Sequence, residues 1–419
     1  SFLEKKKLIK SLFKNKFFLI CIFINFLYIL ISLFFFKNIY NGLIDFRTFF
    51  RAGTIILTDI NKLYYISEYI WIFRYFPSAA IIFVPFSLLN FTLSYLIFIF
   101  TNFILNLIIT WLIYLIISKI IGSNFEMIRK SIIIFLGFFL ISFPNLTNYL
   151  MGQISLFIAC FLLISLYYML KPHKPSNTFL GGFFLGISLL IKPLVIIIIP
   201  FFLLTEIKKS KTFSFKNLLI RFSGILFPNI VNFVIFLSFP ILILDFFSIN
   251  FTKMVAADYN FSISITKLIL NTFYFIGMEI NRFSVLIFVF VPPFSISLLS
   301  FLIRKNTSDF TIVYAFLFGL VLTGLTYFDT WDHHFLVVLP FLIILRFILQ
   351  KNNAKRVNIS KKLIDIGIYY LYFLNFLFVI LWFLIKNWFP WNFPGTIILV
   401  LLFGVLLNLS FDSKSLFMK

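Results

Sequence analysis

Two stretches of this chain, 17–36 and 92–117, run without a single charged residue. At 1.5 Å per residue, about 20 residues of helix cross the hydrocarbon layer of a bilayer. A backbone in that layer finds no water, so only helices and closed barrels satisfy their own polar groups there. Barrel strands read as alternating segments of about ten residues, and the long unbroken apolar runs exclude them. Of the 419 residues, 62% are apolar and 12% charged, whereas a soluble domain is roughly half apolar and a quarter charged. The chain is thus read as an all-α polytopic membrane protein.

The apolar runs give spans at 17–36, 92–117, 131–147, 153–170, 179–191, 194–206, 218–247, 284–303, 311–327, 333–349, 363–386 and 395–411. Two of them, 179–191 and 194–206, are short and are expected to tilt or to extend into their flanks. The first run is too long for a signal peptide and lacks a cleavage-site pattern; it reads as a retained helix with a basic flank from Lys5 to Lys16. Placing that flank in the cytoplasm puts 26 of the 36 Lys and Arg, and 6 of the 14 Asp and Glu, on the cytoplasmic side. This bias follows the positive-inside rule and sets both termini in the cytoplasm. It requires that 76–90, bracketed by Pro77 and Pro85, does not cross. The expected organisation is one integral-membrane domain over 1–419. Residues 1–217 form an N-terminal module with a long first outer loop (37–91), and 218–419 carry outer loops 248–283 and 328–332.

The net charge of +22 is explained by the same rule and gives no reason to expect nucleic acid. The 66 phenylalanines read as coding bias. Cys21 and Cys160 fall inside apolar runs and read as buried small residues. Trp331, Trp388 and Trp391 read as an interfacial aromatic belt.

With the topology set, most informative polar residues fall on the outer side. The first outer loop carries Asp45, Arg47, Arg51, Asp59 and Arg74. Asn148 to Gln153 joins the third and fourth spans, and Lys192-Pro193 breaks an apolar run. Asp258 and Asn260 lie in the loop after span seven, and Asp329 to His334 at the mouth of span ten. Charged residues at membrane depth are costly and mark function. A transporter would place them near the midplane with internal repeats, and no two-fold repeat is visible. A lone carboxylate beside several cations suits an enzyme acting on a lipid-linked phosphate: the cations bind phosphate and the carboxylate takes a proton from an acceptor hydroxyl.

Asp45-Phe46-Arg47-Thr48-Phe49-Phe50-Arg51-Ala52-Gly53, Tyr64-Tyr65, and Phe73-Arg74-Tyr75-Phe76-Pro77 with Pro85 resemble the first-loop signature of glycosyltransferase family 87. Gly152-Gln153-Ile154-Ser155, Gly181-Gly182 to Ile191-Lys192-Pro193, and Trp331-Asp332-His333-His334 leading to Leu339-Pro340 follow in the family's order, and Asn260-Phe261-Ser262 is similar to a further family segment. The resemblance implies a GT-C fold with about twelve spans, surface-lying helices in the outer loops, and a polyprenyl-phosphate sugar donor. The family includes polyprenol-phosphate-mannose-dependent α-mannosyltransferases, which makes mannose the default sugar. The acceptor class is a glycolipid or glycan. The expected location is the cell membrane with the site facing outside, or the endoplasmic reticulum in a eukaryote.

In that reading Asp45 is the general base of an inverting transfer. A polyprenyl phosphate is already a good leaving group, so one carboxylate suffices where glycoside hydrolysis needs two. The competing role for Asp45 is a helix N-cap. Donor-phosphate candidates are Lys192, His333, His334 and Arg74, with snorkelling to headgroups as the alternative for Lys192. Adjacent histidines on a helix diverge by about 100°, so one of the two is expected to face the site. They lack the i, i+4 spacing of a helical metal pair; neither metal nor cofactor is expected. Arg47 and Arg51 share a helix face and reach either phosphate or headgroups. Gln153 and Asn148 hydrogen-bond sugar hydroxyls or cap the fourth span. Tyr75, Asn260 and Asp332 complete the candidate set, while Asp59 reads as structural. Within enzymes, the rival is the glycosylphosphatidylinositol mannosyltransferase type, which lacks the Gly152-Gln153 and Lys192-Pro193 motifs; outside them, it is a flippase of lipid-linked sugars.

Overall fold

The computed structural model describes residues 11–171, 174–209, 214–252, 262–278, 280–303, 309–327, 330–350, 355–374 and 394–411. All regular structure among them is helical. Helix α1 (Lys16–Asn38) starts on Asn15, whose side chain accepts the Phe18 N–H at 3.1 Å, and Lys37 in its last turn complements the helix dipole. A turn with Asn41 and Gly42 at positive φ (48° and 74°) reverses the chain into α2 (Phe46–Thr58). Two short 3₁₀ turns follow, and then α3 (Pro77–Ser87), begun by Pro77. Helices α2 and α3 pack face to face in the expected first outer loop. Gly53 allows this, since a Cβ there would sit 2.7 Å from the Phe83 carbonyl oxygen, and the Phe49 and Phe83 rings stack with centroids 4.8 Å apart.

Helix α4 (Phe91–Ile121) has 31 residues and is capped by Asn90, which accepts the Leu93 N–H at 2.8 Å. Helices α5 (Phe125–Leu140) and α6 (Phe143–Met151) replace what reads in sequence as one span over 131–147. Pro144 has no N–H to donate and crowds the preceding turn, so α5 stops and Ser142 turns extended (φ −65°, ψ 152°). Next come α7 (Ser155–Met169) and α8 (Pro175–Ile191). Lys192-Pro193 breaks the chain as expected: Lys192 is extended, and a 3₁₀ turn (Pro193–Ile197) leads into α9 (Ile198–Lys209). The run 218–247 divides at Pro240 into α10 (Phe215–Ser238) and α11 (Ile241–Phe247). The remaining helices are α12 (Ile265–Phe275), α13 (Arg282–Ile303), α14 (Asp309–Thr326), α15 (Phe335–Leu349), α16 (Lys355–Tyr369) and α17 (Pro394–Phe411).

Among the described residues, five stretches are long and apolar enough to cross a membrane: Lys16–Asn38, Phe91–Met151, Phe215–Ser238, Phe283–Ile303 and Asp332–Leu349. The last is 89% buried and the others 22–44%, so α15 runs through the centre of the bundle and the others turn apolar faces outward. Helices α8 and α10 meet at glycines: a Cβ on Gly182 would lie 2.3 Å from the Arg221 carbonyl oxygen, and one on Gly224 2.4 Å from that of Phe179. Small residues allow such close crossings where lipid offers no hydrophobic drive to associate. Arg221 of α10 also makes a fully buried ion pair with Glu206 of α9, its Nη1 donating to the Phe202 carbonyl at 3.0 Å.

Gly182→Val is expected to force α8 and α10 apart and to cost about 1–3 kcal/mol, the usual penalty of overpacking. The check is a lower melting temperature of the detergent-purified protein, with Gly404→Ala, which meets nothing within 4 Å, as the silent control.

Candidate active site

Asp45 stands at the entry to α2 with helical backbone angles (φ −62°, ψ −30°), and its side chain makes no capping bond. Gln153 Nε2 instead donates to Asp45 Oδ2. These two residues, 108 positions apart in sequence, meet because of Gly152. That residue ends α6 in the left-handed conformation (φ 65°, ψ 50°), which glycine adopts without steric cost. A Cβ on it would lie 2.6 Å from Cβ of Phe46. The Gly-Gln pair thus lets the chain after α6 lie against the start of α2.

Asn148, on the last turn of α6, is fully buried. Its carbonyl accepts the Gln153 N–H at 2.9 Å. Neither atom of its side-chain amide has a hydrogen-bond partner among the described residues, and the same holds for Gln153 Oε1 and Asp332 Oδ1. Buried polar groups are normally paired, so these atoms mark a place built for polar contacts. Neither Asn148 nor Gln153 caps α7, whose N-cap is Ile154 without a side-chain bond. Helix α6 packs directly on the 3₁₀ turn Asp332–His334, which brings Asp332 to the same region.

On that turn the two imidazoles lie in contact, with centroids 4.2 Å apart and planes tilted by 47°, closer than divergence on an α-helix suggests. His334 is the ring that meets Lys192: its Nε2 lies in hydrogen-bond contact with Lys192 Nζ. On its other side Nδ1 accepts the Trp331 backbone N–H at 2.9 Å. With that lone pair used, the neutral ring carries its proton on Nε2. The ring N–H and the lysine ammonium then offer two donors at one place, and an anionic oxygen lying beside the pair can accept from both. Lys192, 7% exposed, sits at the α8 break rather than snorkelling outward. Beside the pair is a cavity of ≈ 50 Å³ lined by Lys192, Thr323, Tyr327, Thr330 and His334 among apolar side chains.

Arg74 and Tyr75 are partly buried in the segment leading to α3. The Tyr75 carbonyl accepts from Tyr64 Oη at 2.8 Å; burial pushes the Tyr64 phenol well above its ordinary pKa, so it stays a donor. Ser78 ties this segment to the α8 end, donating its hydroxyl to the Leu190 carbonyl at 3.3 Å and its N–H to Asn232 Oδ1 at 3.1 Å. Arg74 and Tyr75 therefore enter α3 alongside the break that holds Lys192. Arg47 and Arg51 lie on the exposed face of α2. The Arg47 guanidinium is 5.4 Å from the Phe91 ring centroid, and Arg51 pairs with Glu68. Asp59 caps a 3₁₀ turn, accepting the Asn61 N–H at 3.3 Å. Asn260, with Asp258, Asp329, Trp388 and Trp391, lies outside the described residues.

Sequence reasoning overlooked a buried polar set behind α6. Tyr149 Oη donates to Asn25 Oδ1 at 2.9 Å and accepts from Asn106 Nδ2 at 3.1 Å. Tyr95 Oη donates to the Tyr149 carbonyl at 2.8 Å. The signal was present: Asn102, Asn106 and Thr110 recur every fourth residue in an otherwise apolar run, which puts them on one face of a helix.

Residues 73–322 match the model of glycosyltransferase family 87. The match covers more than half of the chain, which belongs to this family of membrane glycosyltransferases. No curated protein and no solved structure matches it. The matched region holds Arg74, Tyr75, Asn148, Gln153 and Lys192, while Asp45 and Asp332–His334 lie on either side of it in sequence and reach it through the contacts above.

His334→Ala is expected to weaken the binding of a phosphate anion beside Lys192 at least tenfold, as loss of a hydrogen bond to a charged group does (about 1.5–3 kcal/mol). His333→Ala, whose ring backs the first without touching Lys192 through a hydrogen bond, is expected to cost less. Titration of each purified variant with a phosphate-bearing lipid checks the order.

Proposed function

We propose that this glycosyltransferase transfers a hexose, with mannose as the default, from a polyprenyl phosphate to a glycolipid or glycan on the extracytoplasmic membrane face. The observation that carries the reading is the pair of neighbouring donors, Lys192 and His334, with the His334 turn packed on α6, whose C-terminal end leads into the Asp45–Gln153 contact. The donor phosphate accepts from Lys192 and His334, with Arg74 as a further cation. Gln153 holds the Asp45 carboxylate by Oδ2. As the acceptor oxygen attacks the anomeric carbon, its proton passes to Asp45, and the bond from that carbon to the phosphate oxygen breaks. The polyprenyl phosphate leaves with the electron pair, and the configuration inverts, so a β-linked donor gives an α-linked product. The amide of Asn148, the free oxygen of Gln153 and the Asp332 carboxylate supply donors and acceptors for sugar hydroxyls. Arg47 and Arg51, exposed on α2, suit lipid headgroups. Twelve spans with both termini in the cytoplasm complete the reading, supported by the distribution of basic residues.

Incubating the purified protein with polyprenyl-phosphate sugars and candidate glycolipids, and weighing the product, tests the chemistry. Asp45→Asn keeps shape and capping ability but accepts no proton at neutral pH. It is expected to cost about 10²–10⁴-fold in rate with donor binding kept; near-normal turnover would reject Asp45 as the base. Lys192→Ala is expected to weaken donor binding and Lys192→Arg to rescue only in part, because the guanidinium is larger and planar.

The topology has its own check. Cysteine probes at Lys355 and Lys209 are expected to be labelled only from the cytoplasm, and one at Asn61 only from outside. Labelling of Asn124 from outside would overturn the non-crossing of 76–90.

A further inference from the structure

The polar set behind α6 has no contact with the reacting groups in the proposed mechanism, yet it grips both flanks of the Gly152 turn. On the N-terminal flank, Tyr149 is held three times: its hydroxyl by Asn25 of α1 (2.9 Å) and Asn106 of α4 (3.1 Å), and its carbonyl by Tyr95 of α4 (2.8 Å). On the C-terminal flank, Asn102 of α4 donates to the Gln153 carbonyl at 3.4 Å. Asn25 is itself anchored, donating its amide to the Leu140 carbonyl at 2.7 Å where α5 ends. Asn25, Tyr95, Asn102, Asn106 and Tyr149 are all fully buried.

Polar groups in such a setting cost stability unless paired, and a well-packed apolar replacement is often as stable or more so. Asn102 Oδ1 and Asn106 Oδ1 have no hydrogen-bond partner among the described residues, so the set is not optimised for stability; what its bonds on Tyr149 and Gln153 supply is a fixed geometry. Here the geometry it sets is that of a left-handed glycine, the most permissive point of the backbone, followed directly by the side chain that holds Asp45. We propose that Tyr149, fixed by Asn25 and Asn106, is a positioning residue for the Asp45 carboxylate and acts through Gln153. This inference rests on Asp45 being the base.

The test uses the full chain in detergent or nanodiscs, with a polyprenyl-phosphate hexose donor and an acceptor glycolipid. Misplacing a reacting group by about 1 Å costs on the order of 10²-fold, so Tyr149→Phe is expected to lower kcat by about 10- to 100-fold with the donor KM within about twofold. Asn106→Leu leaves Tyr149 its Asn25 acceptor and is expected to give a smaller loss of the same kind; it also serves if Tyr149→Phe does not fold. The double variant Tyr149→Phe/Gln153→Ala is expected to be no slower than Gln153→Ala alone, because both changes act on one contact. A merely structural role gives a lower melting temperature with unchanged kcat, or losses that multiply in the double variant, and either result overturns the proposal. Asp45→Asn in the same assay separates the two levels. If it turns over normally, the base assignment fails and this inference with it; if it is inactive while Tyr149→Phe has normal kcat, only the positioning role fails.

Discussion

A lysine buried where two apolar helices break apart is the constraint around which the site is organised. An ammonium in that setting is costly without a polar partner, and Lys192 is placed by the backbone rather than by its own flexible stem. Pro193 cannot continue α8, so Lys192 turns extended at the break, and its head meets His334. His334 is in turn oriented by the Trp331 N–H. The residues on both sides of the contact are thus set by main-chain geometry, one by a proline and the other by a 3₁₀ turn. The segment before α3 joins the same place through Ser78 and the Leu190 carbonyl.

Breaks recur wherever the chain approaches this region. Pro144 separates α6 from α5, and Gly152 separates α6 from α7. Irregular backbone is tolerated in a membrane protein only where protein or a cavity satisfies its polar groups. Helix α6 meets that condition on three sides: Tyr95 takes up its Tyr149 carbonyl, the Asn145 amide donates to the Phe139 carbonyl at 2.6 Å, and Gln153 donates its N–H to the Asn148 carbonyl. A nine-residue helix held this way links the start of α2 to the Asp332–His334 turn.

Much of this was legible in the sequence, and what was not has identifiable reasons. The helical class follows from uncharged runs, and the family from short ordered motifs. The break at Lys192-Pro193 was readable because proline has one dominant effect. The division of 131–147 and 218–247 was not, because apolar composition alone does not distinguish one long helix from two, and Pro144 and Pro240 were weighed less than hydropathy. The Asp45–Gln153 contact was not readable either: the two lie in separate motifs, and only the left-handed turn at Gly152 brings them together. The asparagines of α4 were hidden by the chain's general richness in that residue, although their four-residue spacing set them apart. His334 meeting Lys192, with the tilted His333 ring in contact behind it, depends on a 3₁₀ turn that adjacent histidines do not announce.

The two halves of the site carry different loads in the proposed reaction. A sugar-linked polyprenyl phosphate is a phosphodiester with one negative charge, and the leaving polyprenyl phosphate is a monoester that gains a second as the bond breaks. Donors fixed around that phosphate bind the transition state more strongly than the ground state, which is the condition for accelerating the chemical step rather than only retaining substrate. Lys192 and His334 are neighbours held by the break at Pro193 and by the Trp331 N–H, so both donors are placed by the fold on the side of the leaving phosphate in that reaction. In the proposed reaction Asp45 removes a proton on the side of attack, and its contact with Gln153 restricts where the carboxylate points. Electrostatic stabilisation of the leaving group and orientation of the base are therefore assigned to separate residues on separate elements, with α6 and the turn at Gly152 setting the distance between them.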